Sequence, residues 1–223
     1  MSFGGWSGHK LGNSCTSAAA LAGAYEKVIA AYSLQAIDVD IEHTEFTSKA
    51  VRKRVIEALS LVHANDPTLE ISVTFASNET GPEADGLSLI SDAARIGFMP
   101  SSWTIMPFDF GRAQTDMGHA SIRAAEGLDA DLSSAYGIAA SAAYEHAGIS
   151  SMDGQTDEAS ETVSVEQLRT MLAFAQAHQL ARLTFWAVNR DRQCASGLTP
   201  GEDCSGISQM PFAFTDVIAE YRG

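Results

Sequence analysis

Residues 36–42 read AIDVDIE, and this stretch decides the fold because apolar and acidic side chains alternate along it. Successive side chains of a β-strand point to opposite faces, so the pattern predicts a strand with one apolar and one acidic face. The apolar face carries Ile37, Val39 and Ile41, and the acidic face carries Asp38, Asp40 and Glu42. Neighbours on one face lie about 7 Å apart, close enough for Asp40 to lean into a hydrogen bond with Glu42.

Three carboxyl groups on one strand face are costly to bury, since each charge loses hydration and repels the others. Crowded carboxylates cannot all ionise comfortably, so we expect one of them to hold a proton near neutral pH. A carboxyl group that can donate this proton meets the requirement for a general acid. Two alternatives remain: an edge strand with its acids in water, and a carboxylate metal site to which only His43 would add a nearby ligand.

Helix-like and strand-like segments alternate along the rest of the chain. Apolar spacing and capping residues predict helices at about 16–33, 47–64 and 118–137, and in DGLSLISDAARIG, SVEQLRTMLAFAQAHQ and FAFTDVIAEY. The segments LEISVTFAS, SWTIMPFDFG, YEHAGISSM and ARLTFWAV read as strands. The alternation predicts an α/β fold with a parallel sheet. Because no Gly-rich nucleotide loop follows the first strand, a TIM (β/α)8-type barrel fits best.

We interpret residues 1–223 as a single domain, because no linker or shift in composition divides the chain. The polar stretch DGQTDEASETVS, residues 153–164, follows a predicted strand. We expect it to be a loop at the rim of the barrel, on the face where such barrels carry their active sites.

The charge balance excludes several classes of partner. A formal charge of −14, from 28 acidic and 14 basic side chains, would repel nucleic acid phosphates and anionic lipid headgroups. No apolar run approaches the roughly 20 residues of a membrane span, and no signal peptide is visible at the N-terminus. Nucleic acid and membrane partners are therefore not expected.

Two of the three cysteines, Cys194 and Cys204, bracket a Gly/Pro-rich loop that reads CASGLTPGEDC. A disulfide could close this loop, which would restrict the unfolded chain. Cys15 would then be left over, and we expect it to behave as a small buried side chain.

Four motifs occur along the chain: SFGGW at 2–6, AIDVDIE at 36–42, MPFD at 106–109 and FWAVNRD at 185–191. In this order they resemble motifs of glycoside hydrolase family 18, bacterial chitinases in particular. The first is similar to its S-x-G-G strand, the second to its D-x-x-D-x-D-x-E signature with Gln35 in the first position. The third is similar to its M-x-Y-D strand and the fourth to its last barrel strand.

The resemblance implies hydrolysis of chitin or N-acetylglucosamine oligosaccharides, with the substrate's own 2-acetamido group as nucleophile. Glu42 would protonate the glycosidic oxygen and later activate water as a base. Asp40 would orient the acetamido group, and Asp38 would share a proton with Asp40. Asp109 would contact the sugar and help to set the protonation of Glu42. No cofactor and no metal are implied.

The resemblance also implies a set of substrate contacts. Trp186 would form the apolar floor beneath the sugar at the cleaved bond, and Trp6 would flank it. The other candidate contacts are Gly5, Met106 and Phe108. Trp103 is a second candidate for a flanking contact, but packing in the core is favoured for it. Phe108 stands where many members of the family have Tyr, and Phe110 supplies no hydroxyl either, so we expect a reduced rate or an altered specificity.

The family's S-x-G-G motif belongs to the third strand of its barrel. We therefore expect only strands three to eight here, in a domain that is N-terminally truncated relative to the family. Six strands do not close an eight-stranded barrel, and the unpaired edges favour self-association. A catalytically impaired fragment and an oligosaccharide-binding protein on the same scaffold are the alternatives to an active enzyme. The resemblance implies an extracellular location.

Overall fold

The computed structural model describes residues 1–114 and 116–222 as strands and helices that alternate along the chain. The strands are β1 (Ser2–Gly4), β2 (Ala36–Ile41), β3 (Glu70–Asn78), β4 (Gly81–Pro82), β5 (Ser102–Met106), β6 (Ala147–Met152), β7 (Gly154–Gln155), β8 (Thr162–Val163) and β9 (Arg182–Trp186). The helices are α1 (Leu11–Ser14), α2 (Ala18–Tyr32), α3 (His43–Thr47), α4 (Lys49–Asn65), α5 (Ala84–Arg95), α6 (Met117–Tyr136), α7 (Ala140–Tyr144), α8 (Val165–His178) and α9 (Ala213–Ile218). Within these described ranges, no helix has the length and apolar character needed to cross a membrane.

Six parallel strands form the main sheet in the order β1-β2-β3-β5-β6-β9. Strand β4 pairs antiparallel with the end of β3, and β7 and β8 form a separate two-stranded ladder. The sheet curls until β9 approaches β2, since the Arg182 guanidinium lies 2.6 Å from the Asp38 carboxylate across the concave face. This half-barrel confirms the prediction of an incomplete β/α barrel with six strands.

The convex face of the half-barrel holds the hydrophobic core. The residues of β2 on this face, Ile37, Val39 and Ile41, are at most 3% exposed. The neighbouring strands continue this apolar layer with Ile71, Val73, Phe75, Trp103, Ile105, Ile149 and Leu183. Trp103 is fully buried, which confirms its expected packing role. The alternation in AIDVDIE therefore separates the core from the concave face as predicted.

Capping residues in the sequence mark several of the helix ends. Ser164 begins α8 with a capping box: its hydroxyl accepts from the backbone N–H of Gln167, whose side chain accepts from the backbone N–H of Ser164. Gly137 ends α6 in the left-handed conformation, with φ of 66°. The long helices accordingly begin and end within a few residues of the predicted positions.

The structure adds short elements that the sequence did not predict. Helices α1, α3 and α7 have four or five residues each, too few to produce a periodic apolar pattern. The segment 153–164, expected to be a loop, contains the ladder of β7 and β8, in which Gly154 pairs with Val163. Strands of two residues give no alternation that a sequence could reveal.

A disulfide joins Cys194 to Cys204, so the loop that follows β9 is closed covalently. Its ends are ten residues apart in the sequence. Among the described residues Cys15 is free and half-buried, packed against the edge of the core.

Helix α4 offers a matched pair of leucines for testing the position of the core, since Leu59 is fully buried and Leu61 is 43% exposed. Replacement of Leu59 by Ala should lower the free energy of unfolding by about 2 to 5 kcal/mol, because the change leaves a cavity against the sheet. Leu61→Ala should cost less than about 1 kcal/mol. Urea unfolding followed by far-UV circular dichroism measures both; equal losses would contradict this packing.

Candidate active site

The carboxyl ends of the strands bring the predicted site residues to one edge of the half-barrel. Glu42 follows β2 directly, Trp186 is the last residue of β9, and Phe108 and Asp109 lie just beyond β5. Glu42 and Trp186 each lie four residues beyond the contact between Asp38 and Arg182. Because β2 and β9 run in the same direction, Glu42 and Trp186 sit at similar heights on the two sides of the concave face.

Asp40 and Glu42 form the centre of this site, with their carboxyl groups hydrogen-bonded to each other. Burial, together with the negative charges of Glu42 and Asp38, raises the pKa of Asp40 from its ordinary 3.8 to about 8, while Lys10 opposes the shift. Burial also raises the pKa of Glu42, against the effects of Lys10 and His43. The pair therefore holds a proton at neutral pH, as the crowding of carboxyl groups predicted.

A buried lysine, Lys10, supplies positive charge beside these acids. It is 5% exposed, and its Nζ donates to the carbonyl oxygens of Gly5 and, at 2.9 Å, Ser7. It also lowers the pKa of Glu45, a carboxyl group that is 1% exposed and whose pKa burial raises. Glu45 accepts the backbone N–H of Gly12 at 2.6 Å. Lys10 thus compensates part of the negative charge that β2 and α3 bring together.

Asp38 is surrounded by hydrogen-bond donors from three other strands. One carboxylate oxygen accepts from Thr74 on β3 and from Arg182 on β9, both at 2.6 Å, and the other accepts from Ser2 on β1. The expectation that Asp38 shares a proton with Asp40 stays a prediction. In the described part of the chain, the carboxyl partner of Asp40 is Glu42.

Glycine allows the start of the chain to run directly beside the acidic strand. Gly4 has φ of 91°, and a Cβ atom there would overlap the carbonyl oxygen of Asp40. Gly5 donates its N–H to that carbonyl at 2.9 Å. Trp6 then packs on His43 with ring centroids 3.9 Å apart, and 69% of its surface stays exposed. Gly5 and Trp6, both predicted contacts, therefore lie beside Asp40 and Glu42.

A buried ion pair between Asp153 and Arg190 lies next to Trp186 and fixes the backbone at the end of β9. Asp153 donates its N–H to the Trp186 carbonyl and accepts the N–H of Ala187, both at 2.9 Å. Arg190 donates to the Asp153 carboxylate at 3.1 Å and to the carbonyl oxygens of Asp153 and Gln155. Burial raises the pKa of Asp153 to about 6, although Arg190 opposes the shift. The indole is thereby presented to solvent, 52% exposed.

The predicted residues after β5 lie on a different part of the rim. Asp109 is exposed, and its carboxylate accepts the backbone N–H of Glu158 at 3.0 Å. Phe110 donates its N–H to the buried carboxylate of Glu161 at 2.8 Å. Phe108 packs partly against the core, and Met106 is half-buried at the end of β5. The structure does not place Asp109 among the described groups that shift the pKa of Glu42, so its role stays a prediction.

Two charged residues of the site, Lys10 and Arg182, were missed by sequence reasoning. Arg182 and Trp186 occupy alternate positions of one strand, so the alternation could have placed Arg182 on the concave face. Lys10 stands in an irregular segment, where no pattern could have marked it. Across the described residues, no group of three or more His, Cys, Asp or Glu side chains is arranged to hold a metal ion.

The raised pKa of Asp40 predicts how stability depends on pH. The folded protein keeps a proton that the unfolded chain releases, so the free energy of unfolding should fall as the pH rises from about 4 to about 8. Asp40→Asn should reduce this slope and unfold at a higher temperature than wild type at about pH 8. Calorimetric scans across this range measure the effect. Asp157→Asn, in an exposed loop, is the control and should keep the wild-type slope.

The ion pair behind Trp186 predicts a large difference between two neighbouring arginines. Arg190→Met leaves the buried carboxylate of Asp153 without its cation and should cost about 3 to 5 kcal/mol of unfolding free energy. Arg192→Met, which removes an exposed side chain that donates to the Asp203 carbonyl, should cost less than about 1 kcal/mol. Urea unfolding compares the two; similar losses would show that the pair does not support this strand end.

The chain is similar to several chitinases. No model of a known protein family matches it. It is 24% identical over 236 residues to a probable bifunctional chitinase/lysozyme of Escherichia coli (strain K12), an alignment that covers 99% of this chain and 26% of that protein. The chain therefore spans about a quarter of the length of this curated relative.

The solved structures that match this chain include chitinases as well. Catalytic-site mutants of active domain 2 of a chitinase from Pyrococcus furiosus match with a TM-score of 0.87 and 24% identity, over 98% of this chain and 71% of that chain. Such mutants have also been solved in complex with chito-oligosaccharides. A GH18 chitinase from Pseudoalteromonas aurantia matches with a TM-score of 0.58 and 16% identity, over 83% and 68% of the two chains. The resemblance that the motifs indicated is thus confirmed at the level of the fold: the chain is an incomplete β/α barrel built like a chitinase catalytic domain.

Proposed function

We propose that this protein is a glycoside hydrolase of family 18 that cleaves β-1,4-linked N-acetylglucosamine polymers, with Glu42 as general acid and base. The proposal rests above all on the hydrogen-bonded carboxyl pair of Asp40 and Glu42 at the carboxyl end of β2. A protonated carboxyl pair beside an open face can donate a proton to a leaving group at neutral pH. The similarity to chitinases, including a domain solved with chito-oligosaccharides, supports this choice of substrate.

In the proposed first step, Glu42 gives its proton to the glycosidic oxygen as the bond to the anomeric carbon breaks. The carbonyl oxygen of the substrate's acetamido group bonds to that carbon, which forms a positively charged oxazolinium ring. Asp40 accepts the acetamido N–H and keeps the group turned toward the anomeric carbon. Water then attacks the same carbon as the bond to the acetamido oxygen breaks, and the water proton passes to Glu42, which restores the acetamido group and the starting state of the enzyme.

The two tryptophans of the site suit a sugar substrate. Trp186 exposes a flat apolar ring on the side of the concave face opposite Glu42, and a pyranose ring can pack against such a surface. Trp6 offers a second exposed ring beside His43. Phe108 brings no hydroxyl to the site, so an acetamido carbonyl that needs a partner there would lose about 1 to 3 kcal/mol. We therefore expect turnover to be slower than in an enzyme with Tyr at this position.

Replacement of Glu42 by Gln tests the proposed acid. The amide cannot donate or accept the reacting proton, so hydrolysis of a fluorogenic N-acetylglucosamine oligosaccharide should fall by about 10²- to 10⁴-fold. Binding of the unlabelled oligosaccharide, measured by calorimetry, should persist because the aromatic contacts remain. Glu166→Gln makes the same chemical change on the exposed side of α8 and should leave turnover intact.

Two results would contradict the proposal. Undiminished turnover in Glu42→Gln would remove Glu42 from the chemistry. Binding by the wild-type protein without any turnover would favour the alternative, an oligosaccharide-binding protein on this scaffold. Circular dichroism of each variant shows whether a loss of activity reflects the chemistry or the fold.

A further inference from the structure

Arg182 links the two ends of the sheet through the acidic strand. It opens β9, and its guanidinium lies 2.6 Å from Asp38 on β2, at the opposite side of the concave face. The side chains are 30% and 14% exposed, so water screens the contact only in part. The pair borders a cavity of about 300 Å³ at the amino ends of the strands, opposite the proposed reaction site.

Asp38 carries its negative charge beside Asp40 and is itself bonded to a cation. Arg182, Thr74 and Ser2 donate to its two oxygens, and Arg182 brings a positive charge to within 2.6 Å. The charge of Asp38 raises the pKa of Asp40. A cation paired with Asp38 opposes this effect, because the two opposite charges act on Asp40 from nearly the same place.

We propose that Arg182 is a positioning residue that balances the charge of Asp38 and so limits how strongly that charge holds the proton shared by Asp40 and Glu42. The inference rests on the proposed function for the roles of these two acids. Arg182 does not touch the reacting atoms. It contacts Asp38, which precedes Asp40 by two residues on the same face of β2, and acts through that residue. Its assignment follows from a contact between the first residue of β9 and the middle of β2, which neither strand reveals alone.

Other charged groups face the same proton and must be held constant in any test. Lys10 lies in the segment after β1, and Asp38 and Glu42 lie on β2 and directly after it. His43 and Glu45 lie in α3. Strands β3 and β5 direct the hydroxyl groups of Ser72, Thr74, Ser102 and Thr104 to the concave face, and β3 also directs Glu70, which lines the same cavity as Arg182. Arg182 is the cation that β9 adds to this set.

The direct test is the titration of Asp40 by carbon-13 NMR of its side-chain carboxyl group, which needs no catalytic activity. Arg182→Gln removes a positive charge and should raise the pKa of Asp40 by about half a pH unit. Asp38→Asn removes the negative partner and should lower it by a similar amount. The double variant removes both charges and should return to the wild-type value.

Two further variants separate charge from structure. Arg182→Lys keeps the charge and should titrate like the wild type. Arg169→Gln breaks an exposed ion pair with Glu220 on the outer helix layer and should also titrate like the wild type. If the protein is a hydrolase, the alkaline limb of kcat/KM in Arg182→Gln should move to higher pH by the same amount as the Asp40 titration.

An unchanged Asp40 titration in a folded Arg182→Gln protein overturns the inference. So does an equal rise in Arg182→Lys, because geometry rather than charge would then be responsible. If Arg182→Gln does not fold, the comparison of Asp38→Asn with the double variant decides: a lowered and then restored value supports the inference, and equal values overturn it. A wild-type protein that titrates as expected but hydrolyses nothing would contradict the proposed function and leave this inference standing.

Discussion

The strict alternation of β2 is the constraint on which the rest of the structure depends. It directs Ile37, Val39 and Ile41 to the helices, where they are almost fully buried, and it forces three carboxyl groups to the concave face. A strand with this pattern cannot lie between two apolar layers. A curled sheet satisfies both faces, since its convex side packs against helices and its concave side can hold polar groups.

The acids of this strand impose their own conditions on the neighbouring elements. Crowded carboxyl groups need donors and cations, and these come from distant parts of the sequence. Lys10 approaches from the segment after β1, Thr74 from β3 and Arg182 from β9. The ion pair of Asp38 with Arg182 therefore spans the curled sheet and also places a positive charge beside the acidic strand, so fold and electrostatics are coupled at Asp38.

The site shows a conflict between stability and the proposed chemistry. A carboxyl group whose pKa is raised by burial is useful as a proton donor near neutral pH, but the folded state is less stable where that group must ionise. A second cost lies beneath Trp186, where the buried Asp153 and Arg190 must be paired and hydrogen-bonded to be tolerated. Both of these unfavourable contributions to the folding free energy lie close to the exposed aromatic and acidic groups. Contacts between elements that are remote in sequence offset both of them.

The sequence by itself determined the order of the long helices and strands and the acidic face of β2, because these follow from local periodicity. It also indicated which residues at the strand ends could share one site, since the carboxyl ends of parallel strands meet at one edge. Only the tertiary structure decided that Lys10, Arg182 and the pair of Asp153 with Arg190 belong to that site, and that Asp38 pairs with Arg182. These interactions join residues 30 to 144 positions apart, and no local pattern encodes them because they depend on how far the sheet curls.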